Sequence, residues 1–352
     1  MTTICFSSFA YNYLDRAKVM AKSLRRHHPD WQIWGVVPDR RPEGLPASAL
    51  APFDRVIEAA SLGIPDFPAW MFRHDLIEAA TAVKGRVLRL ILSQPGVTRA
   101  VYLDPDMALF APIEPLLASP DGPAIVLTPH QLAANTLRAT VDENERTTMR
   151  YGVYNLGFLS VANDAVGREF ATWWSDRLDE ACYDATEIGL FTDQKYCDLV
   201  PGLFPRVHIS RDEGCNVASW NLSRRRLHFG PEGVLFANDA ILRLYHFTKI
   251  GHPAGLPAPG DVMTERYAGD NVEVHELVAW YKRQMLQNAV PAVTSHTWAY
   301  ALFADGTPIP RAARLAWRDD PGLRARFPDP FDPAFAAFIQ SPADVPSLPE
   351  SP

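Results

Sequence analysis

The chain has 352 residues, 47% hydrophobic and 21% charged, with a formal net charge of -7. Such a composition belongs to a globular protein with room for a large core, and it excludes the whole-chain basic excess of a nucleic-acid binder. No apolar run reaches the roughly 20 residues that a membrane-spanning helix needs. The first residues carry neither the basic region nor the apolar core of a signal peptide.

In chain order, Thr3 to Phe9 is an apolar run and a first predicted strand. From Asn12 to His28, apolar residues at Leu14, Ala17, Met20, Ala21 and Leu24 follow helical spacing. Trp31 to Val37 predicts a second strand and Arg55-Val56-Ile57 a third. Phe72 to Val83 and Val87 to Leu92 predict helices joined or broken near Gly85, and Val101 to Leu103 the next strand. This β-α-β alternation implies a mostly parallel sheet with helices on both faces. No Gly-x-Gly-x-x-Gly and no Gly-Lys-Ser/Thr loop follows the first strand, so neither phosphate cradle applies.

Further on, Ala124 to Thr128 and Val153 to Val161 predict strands. Asn163 to Ala181 and Leu190 to Leu199 predict helices, and Val272 to Leu286 another after a region of short strands. Arg224-Arg225-Arg226 reads as a solvated turn, and Trp220 as a core aromatic. The tail is rich in Pro, Asp and Arg, with an amphipathic pattern at Ala312 to Arg318 that would either pack on the body or lie on a membrane surface. Cys5, Cys182, Cys197 and Cys215 form no Cys-x-x-Cys pair, so free thiols of a cytoplasmic protein are expected rather than a zinc site.

The chemistry concentrates at element ends. Asp104 and Asp106 follow a buried strand, at the sheet edge where ligands of open α/β proteins bind. Two carboxylates so close repel unless a cation lies between them, and oxygen ligands suit Mn²⁺ or Mg²⁺. A polar turn is the plain alternative. Asn155 and Gly157 interrupt an apolar strand, which reads as a polar group and a close backbone approach to a ligand, or as a bulge. Either Thr192 or Asp193 simply caps a helix, or Asp193 and Gln194 lie beside a reacting sugar. His246 ends another strand as a candidate third metal ligand, and Lys249 beyond it would meet a phosphate.

The ordered series Asp104-Pro105-Asp106, Asn155-Leu156-Gly157, Asp193-Gln194 and His246 resembles that of GT-A glycosyltransferases, most closely the retaining family 8 group. Asn12-Tyr13, leading into a helix with Ala21-Lys22-Ser23-Leu24, resembles the family's opening. Thr81-Ala82-Val83-Lys84 resembles the segment whose basic residue faces the nucleotide. Two departures stand out. Ser7-Ser8-Phe9 occupies the place where the family often has an acid, and Lys249-Ile250-Gly251-His252-Pro253 replaces its usual Gly, Lys, Pro-Trp ending.

The resemblance implies a Rossmann-like GT-A α/β domain over residues 1–255, with nucleotide-sugar binding in roughly 1–110 and the acceptor side in roughly 111–255. Residues 256–352 would be a helical or irregular C-terminal extension. It implies a hexosyltransferase for bacterial polysaccharide or glycoconjugate synthesis. The donor would be a UDP-sugar, and the acceptor a glycan or a lipid-linked molecule reached at the membrane periphery. Asp104, Asp106 and His246 would hold the metal. Ser7, Ser8, Asn12, Tyr13, Lys84, Asp104, Gly157, Lys249 and Gly251 would bind the nucleotide sugar. Asn155, Asp193 and Gln194 would be catalytic. A haloacid-dehalogenase-like phosphatase also places Asp-x-Asp at a strand end, but there the motif opens the chain, whereas here a whole β-α-β unit precedes it. A sugar-binding module without activity is the other alternative.

Overall fold

The computed structural model describes residues 2–118, 122–253 and 255–340. The last residues of the expected extension, 341–352, lie outside the described residues. The elements that position the site are strands β1 (Thr2–Ser8), β2 (Gln32–Val37), β3 (Arg55–Glu58), β4 (Val97–Leu103), β5 (Met107–Leu109), β6 (Ile125–Pro129), β7 (Tyr154–Ala162), β8 (Val207–Ile209), β9 (Val217–Ala218) and β10 (Leu244–His246). The main helices are α1 (Leu14–His27), α2 (Leu76–Leu92), α3 (Ala165–Ala181), α4 (Pro259–Ala268), α5 (Val272–Asn288), α6 (Arg311–Asp319) and α7 (Pro333–Gln340).

The central sheet has seven strands in the order β8-β6-β7-β4-β1-β2-β3. Every pair is parallel except those of β7, which runs antiparallel to both β4 and β6. Alternation along the strands divides the core between the two faces. Ile4, Phe6, Ala100 and Tyr102 join residues of α2 and α3 in one cluster. Cys5, Val101 and Leu103 join Met20, Ala21 and Leu24 of α1 in another. Helices on both faces leave strands apolar on both sides, which is why Val101 to Leu103 was legible as a continuous run. After β1 the chain winds to one side and after β3 returns to the other, so the β1–β4 boundary is a topological switch point.

Of the two readings at Gly85, joined or broken, the structure has the joined one: α2 runs through it, and an added Cβ there would stand 2.5 Å from the Cα of Ser175. The glycine permits two helices to cross closely, and that packing outweighs its poor helix propensity. The helix also begins later than Phe72, because Asp75 and Glu78 form a reciprocal capping box ahead of Leu76. The predicted Leu190–Leu199 helix is instead a short strand, Leu190–Phe191, and a 3-10 turn, Lys195–Leu199. Thr192 between them has φ of 43°, a left-handed conformation no right-handed helix contains. Arg225 is not solvated: it is buried, donates to the Cys215 carbonyl at 2.8 Å, and is pushed down to about 10 by burial. The four cysteines are buried free thiols.

A second sheet, ordered β9-β10-β5, sets His246 opposite Met107 in an antiparallel pair. The chain after residue 255 packs back on this framework. Tyr281 of α5 stacks on Phe247 with ring centroids 3.9 Å apart. Asp39, just past β2, accepts from the Ala299 amide at 2.9 Å and pairs with His296 at 3.0 Å, and the Trp298 indole donates to the Pro38 carbonyl at 2.6 Å. Arg314 of α6 donates to the Phe72 and His74 carbonyls at 3.1 and 3.0 Å. The apolar side of α6, which its sequence pattern would pack on the body or lay on a membrane surface, packs on the body. Trp317 packs with Phe72, Phe303, Leu323 and Phe335. Among the described residues no helix is long and apolar enough to cross a membrane.

Candidate metal centre and donor site

Asp104 leaves β4 at its carboxyl end. Its amide still donates to the Gly157 carbonyl at 2.8 Å, and its own carbonyl accepts from Met107 at 3.2 Å, so a tight turn separates β4 from β5. Asp106 sits inside that turn, buried. The antiparallel β5–β10 pair then carries His246 over the turn, and the Phe247 amide donates to the Asp106 carbonyl at 2.8 Å. The result is a compact group. His246 Nε2 lies 3.0 Å from Asp106 Oδ1 and 3.7 Å from Asp104 Oδ2. One donor atom from each of the three residues falls within 4.8 Å of the others.

Two carboxylate oxygens and one imidazole nitrogen fit a divalent ion of the Mn²⁺ or Mg²⁺ kind. Neighbouring ligands about 2.1 Å from such an ion stand roughly 3 Å apart. Electrostatics point the same way. Burial alone would lower the pKa of His246, yet the Asp106 and then the Asp104 carboxylates outweigh it and hold the imidazole above its usual range. Burial would raise Asp106, and the His246 charge pulls it below the usual carboxylate range. In the metal-free protein a proton on His246 thus does part of what a cation would do for the two carboxylates.

Gly157 makes the arrangement sterically feasible. A Cβ there would stand 2.6 Å from Met107 Cε, and 2.7 Å from both His246 Cε1 and Asn155 Oδ1. What approaches this backbone closely is therefore the histidine ring and the methionine tip.

The second part of the site is Lys84, on the buried face of α2. Its ammonium lies 2.8 Å from Asp193 and 3.5 Å from Asp104, and 4.0 Å above the Tyr102 ring. Burial works to lower its pKa, but Asp193 and then Asp104 outweigh it, and the net shift is upward. Burial pushes the Asp193 carboxyl up, with Lys84 pulling against it. The Tyr102 hydroxyl donates to Asp104 Oδ1 at 2.6 Å, and that of Tyr13 to Asp106 Oδ2 at 3.4 Å.

Asn155 and Gln194 adjoin these groups with their amides already engaged. Gln194 Oε1 accepts from the Leu156 amide at 3.2 Å and from Asn155 Nδ2 at 3.5 Å, while its Nε2 donates to the Tyr151 carbonyl at 3.0 Å. Asn155 Oδ1 accepts from the Gly157 amide and from Asn216 Nδ2, at 3.1 and 3.0 Å. Asn155 Nδ2 donates to His130 Nε2 at 3.2 Å. Ser7 and Ser8 end β1, both buried and with hydroxyls unpartnered among the described residues. Asn12 and Lys249 are exposed and form no hydrogen bond or ion pair with Asp104, Asp106 or His246. Gly251 donates to Asp261 Oδ2 at 2.8 Å.

Sequence reasoning missed the supports. The signal that could have found Tyr102 is the strand period, since residues two apart share a face and Tyr102 stands beside Asp104. His130 and Asn216 carry no sequence signal, since only folding brings them to Asn155. Desolvation pushes His130 down to about 4, which keeps it neutral as an acceptor for Asn155. Trp220, read as core, sets its ring edge-to-face on His246 at 5.3 Å and on His130 at 5.5 Å.

No protein-family model matches the chain. Two curated proteins of Bacillus subtilis (strain 168), both described as uncharacterized, are similar to it. YfnF is 27% identical over 177 residues, covering 50% of this chain and 57% of that protein. YfnD is 22% identical over 254 residues, covering 70% of this chain and 78% of that protein. The match to YfnF thus spans little more than half of that relative's length. Among solved structures, galactosyltransferase LgtC in complex with donor and acceptor sugar analogs aligns at 16% identity and a TM-score of 0.48, over 82% of this chain and 98% of its own. Mouse xyloside xylosyltransferase 1 in its apo form aligns at 16% and 0.42, over 70% and 97%. Glycosyltransferase GlyE of Streptococcus pneumoniae TIGR4 aligns at 14% and 0.42, over 81% of this chain and 64% of its own.

Proposed function

We propose that the chain is a GT-A glycosyltransferase that moves a hexose from a nucleotide diphosphate sugar, with UDP as the nucleotide, to the hydroxyl of a glycan or lipid-linked acceptor. The observation that carries this reading is the convergence of Asp104, Asp106 and His246 donor atoms within 4.8 Å at the carboxyl end of β4. That place adjoins the switch point where open α/β sheets bind nucleotides. The unpartnered hydroxyls of Ser7 and Ser8, at the carboxyl end of neighbouring β1, support a ligand there. Residues up to 255 form the unit that carries the site, and those from 256 form an extension seated on it.

A Mn²⁺ or Mg²⁺ ion held by the three ligands would supply charge neutralisation to a diphosphate. Lys84 adds a fixed positive charge beside the metal ligands. Asp193, anchored by Lys84, is placed to stabilise positive charge on a sugar, as carboxylates do in glycoside hydrolysis. Asn155 and Gln194 hold the strand that carries Gly157. In the transfer the acceptor oxygen forms a bond to the anomeric carbon, the bond from that carbon to the diphosphate breaks, and the acceptor's proton passes to a diphosphate oxygen. Reaction on one face of the sugar retains its configuration and needs no separate base.

The test is calorimetry and turnover together. The wild type should bind UDP in the presence of Mn²⁺ and release UDP from a UDP-hexose. Asp104→Ala should lose the metal-dependent part of binding. Nucleotide binding without any turnover across a panel of donors would make the chain a binding module. Binding unchanged in Asp104→Ala would remove the metal assignment.

A further inference from the structure

A second candidate site lies between α1 and α5. Lys22 and Arg26 are one helical turn apart on α1, and Ser23 and His27 repeat that spacing on the adjacent row. Across from them stands Trp280 of α5, with its ring edge-to-face on Phe110 at 5.2 Å. These side chains wall a cavity of about 410 Å³, in the range of small-molecule sites. No carboxylate lines it.

The positive charge there is uncompensated. Neighbouring cations on the same two helices are paired: Arg25 with Asp54 at 2.6 Å, and Lys282 with Asp261 at 2.8 Å. Lys22 and Arg26 form no ion pair or hydrogen bond with any described residue, and the Trp280 indole N–H makes no hydrogen bond among them. The crowding is felt nearby. Lys18 is held below its usual range by burial and then by Lys22, and His27 by burial and then by Arg26. This local excess stands against a chain whose formal charge is -7.

We propose that the α1–α5 cavity binds a phosphate-bearing ligand, its phosphoryl oxygens held by Lys22, Arg26 and His27 and its organic part laid against Trp280. The guanidinium and ammonium groups supply charge-assisted donors in a concave setting, where their fields reinforce. The aromatic face offers an apolar surface to a sugar or base. The site is separate from the metal centre. Asp106 precedes β5 while Leu109 and Phe110 close its far end at the cavity, a separation of roughly 10 Å along three strand residues. The proposal stands whether or not the chain transfers sugars.

The experiment uses the full chain in EDTA, which silences the metal centre, with pyrophosphate as the probe in calorimetry. The wild type should bind, and affinity should fall as salt rises. Lys22→Ala/Arg26→Ala, two exposed positions, should weaken binding about tenfold or more with an unchanged circular dichroism spectrum. Asp104→Ala should bind as the wild type does. A parallel arm measures co-sedimentation with phosphatidylcholine vesicles, with and without phosphatidylglycerol. Binding of pyrophosphate assigns a soluble phosphorylated ligand, whereas capture by the anionic vesicles alone, lost in the double variant, assigns a lipid headgroup. Failure of the wild type to bind either probe, or equal binding by the double variant, overturns the proposal.

Discussion

Lys84 and Asp193 face each other at 2.8 Å with side chains each 3% exposed, and the same ammonium reaches Asp104 at 3.5 Å. One buried cation therefore ties the loop after Phe191 to the strand end that carries the candidate metal ligands. Removing it leaves a buried carboxylate without its counter-charge.

Lys84→Met should destabilise the fold by about 3–5 kcal/mol in urea unfolding, because Asp193 is left buried and unpaired. Adding Asp193→Asn should restore much of that loss, since the orphaned charge goes with it. A double variant no more stable than Lys84→Met would show that the pair is not what Lys84 contributes.

Metal affinity should fall as pH drops. The shift on His246 is upward, so the metal-free imidazole keeps its proton above the ordinary histidine range, and a metal must displace that proton. Mn²⁺ affinity measured by calorimetry should thus be steady at high pH and decline as pH falls through the raised value. His246→Gln should bind more weakly and with less dependence on pH over that interval.

Gly157→Ala should cost more in metal binding than in folding. The new methyl would press on Met107 Cε, a flexible tip, at 2.6 Å, and on the His246 ring at 2.7 Å. Overpacking of this kind costs about 1–3 kcal/mol. Mn²⁺ titration of the variant should show weakened affinity, and adding Met107→Ala should recover stability while the contact with the ring persists.

Stability should decline on acidification through His74. This ring is buried and pushed down to about 3, its Nδ1–H donating to the Trp70 carbonyl at 2.7 Å and its Nε2 unpartnered. The depressed value means that the unfolded chain takes up a proton near pH 6.5 that the folded chain refuses. The stability His74 confers is therefore full above pH 6.5 and is lost progressively toward pH 3. Linkage puts its share at about 2 kcal/mol by pH 5. Urea melts at pH 7 and pH 5 should show a smaller difference for His74→Gln than for the wild type.

The candidate metal ligands drew notice in the sequence because they sit where apolar runs stop: Asp104 after β4 and His246 at the end of β10. A strand buried on both faces announces its own end. What escaped the sequence depends on contacts between distant segments. Gly85 left the helix either joined or broken because helix propensity is local, while its packing on Ser175 is not. Thr192 looked helical because nothing in its neighbours betrays a left-handed backbone. Arg225 looked solvated because charge suggests water until a buried carbonyl such as that of Cys215 is found to receive it. His130 and Asn216 reach Asn155 only in the finished fold. The amphipathic pattern of α6 was visible, but the side it buries was set by Phe72 and Phe335, far from it in sequence.

The clasp at Asp39 bears on how the molecule comes into being. A ribosome delivers β1, β2 and Asp39 well before His296, which lies 257 residues further along the chain. Until residues 296–299 emerge, a carboxylate destined for complete burial stands uncovered at the exit of β2. The first strands can pair while still tethered, but the polar seam beside them closes only when that distant segment arrives.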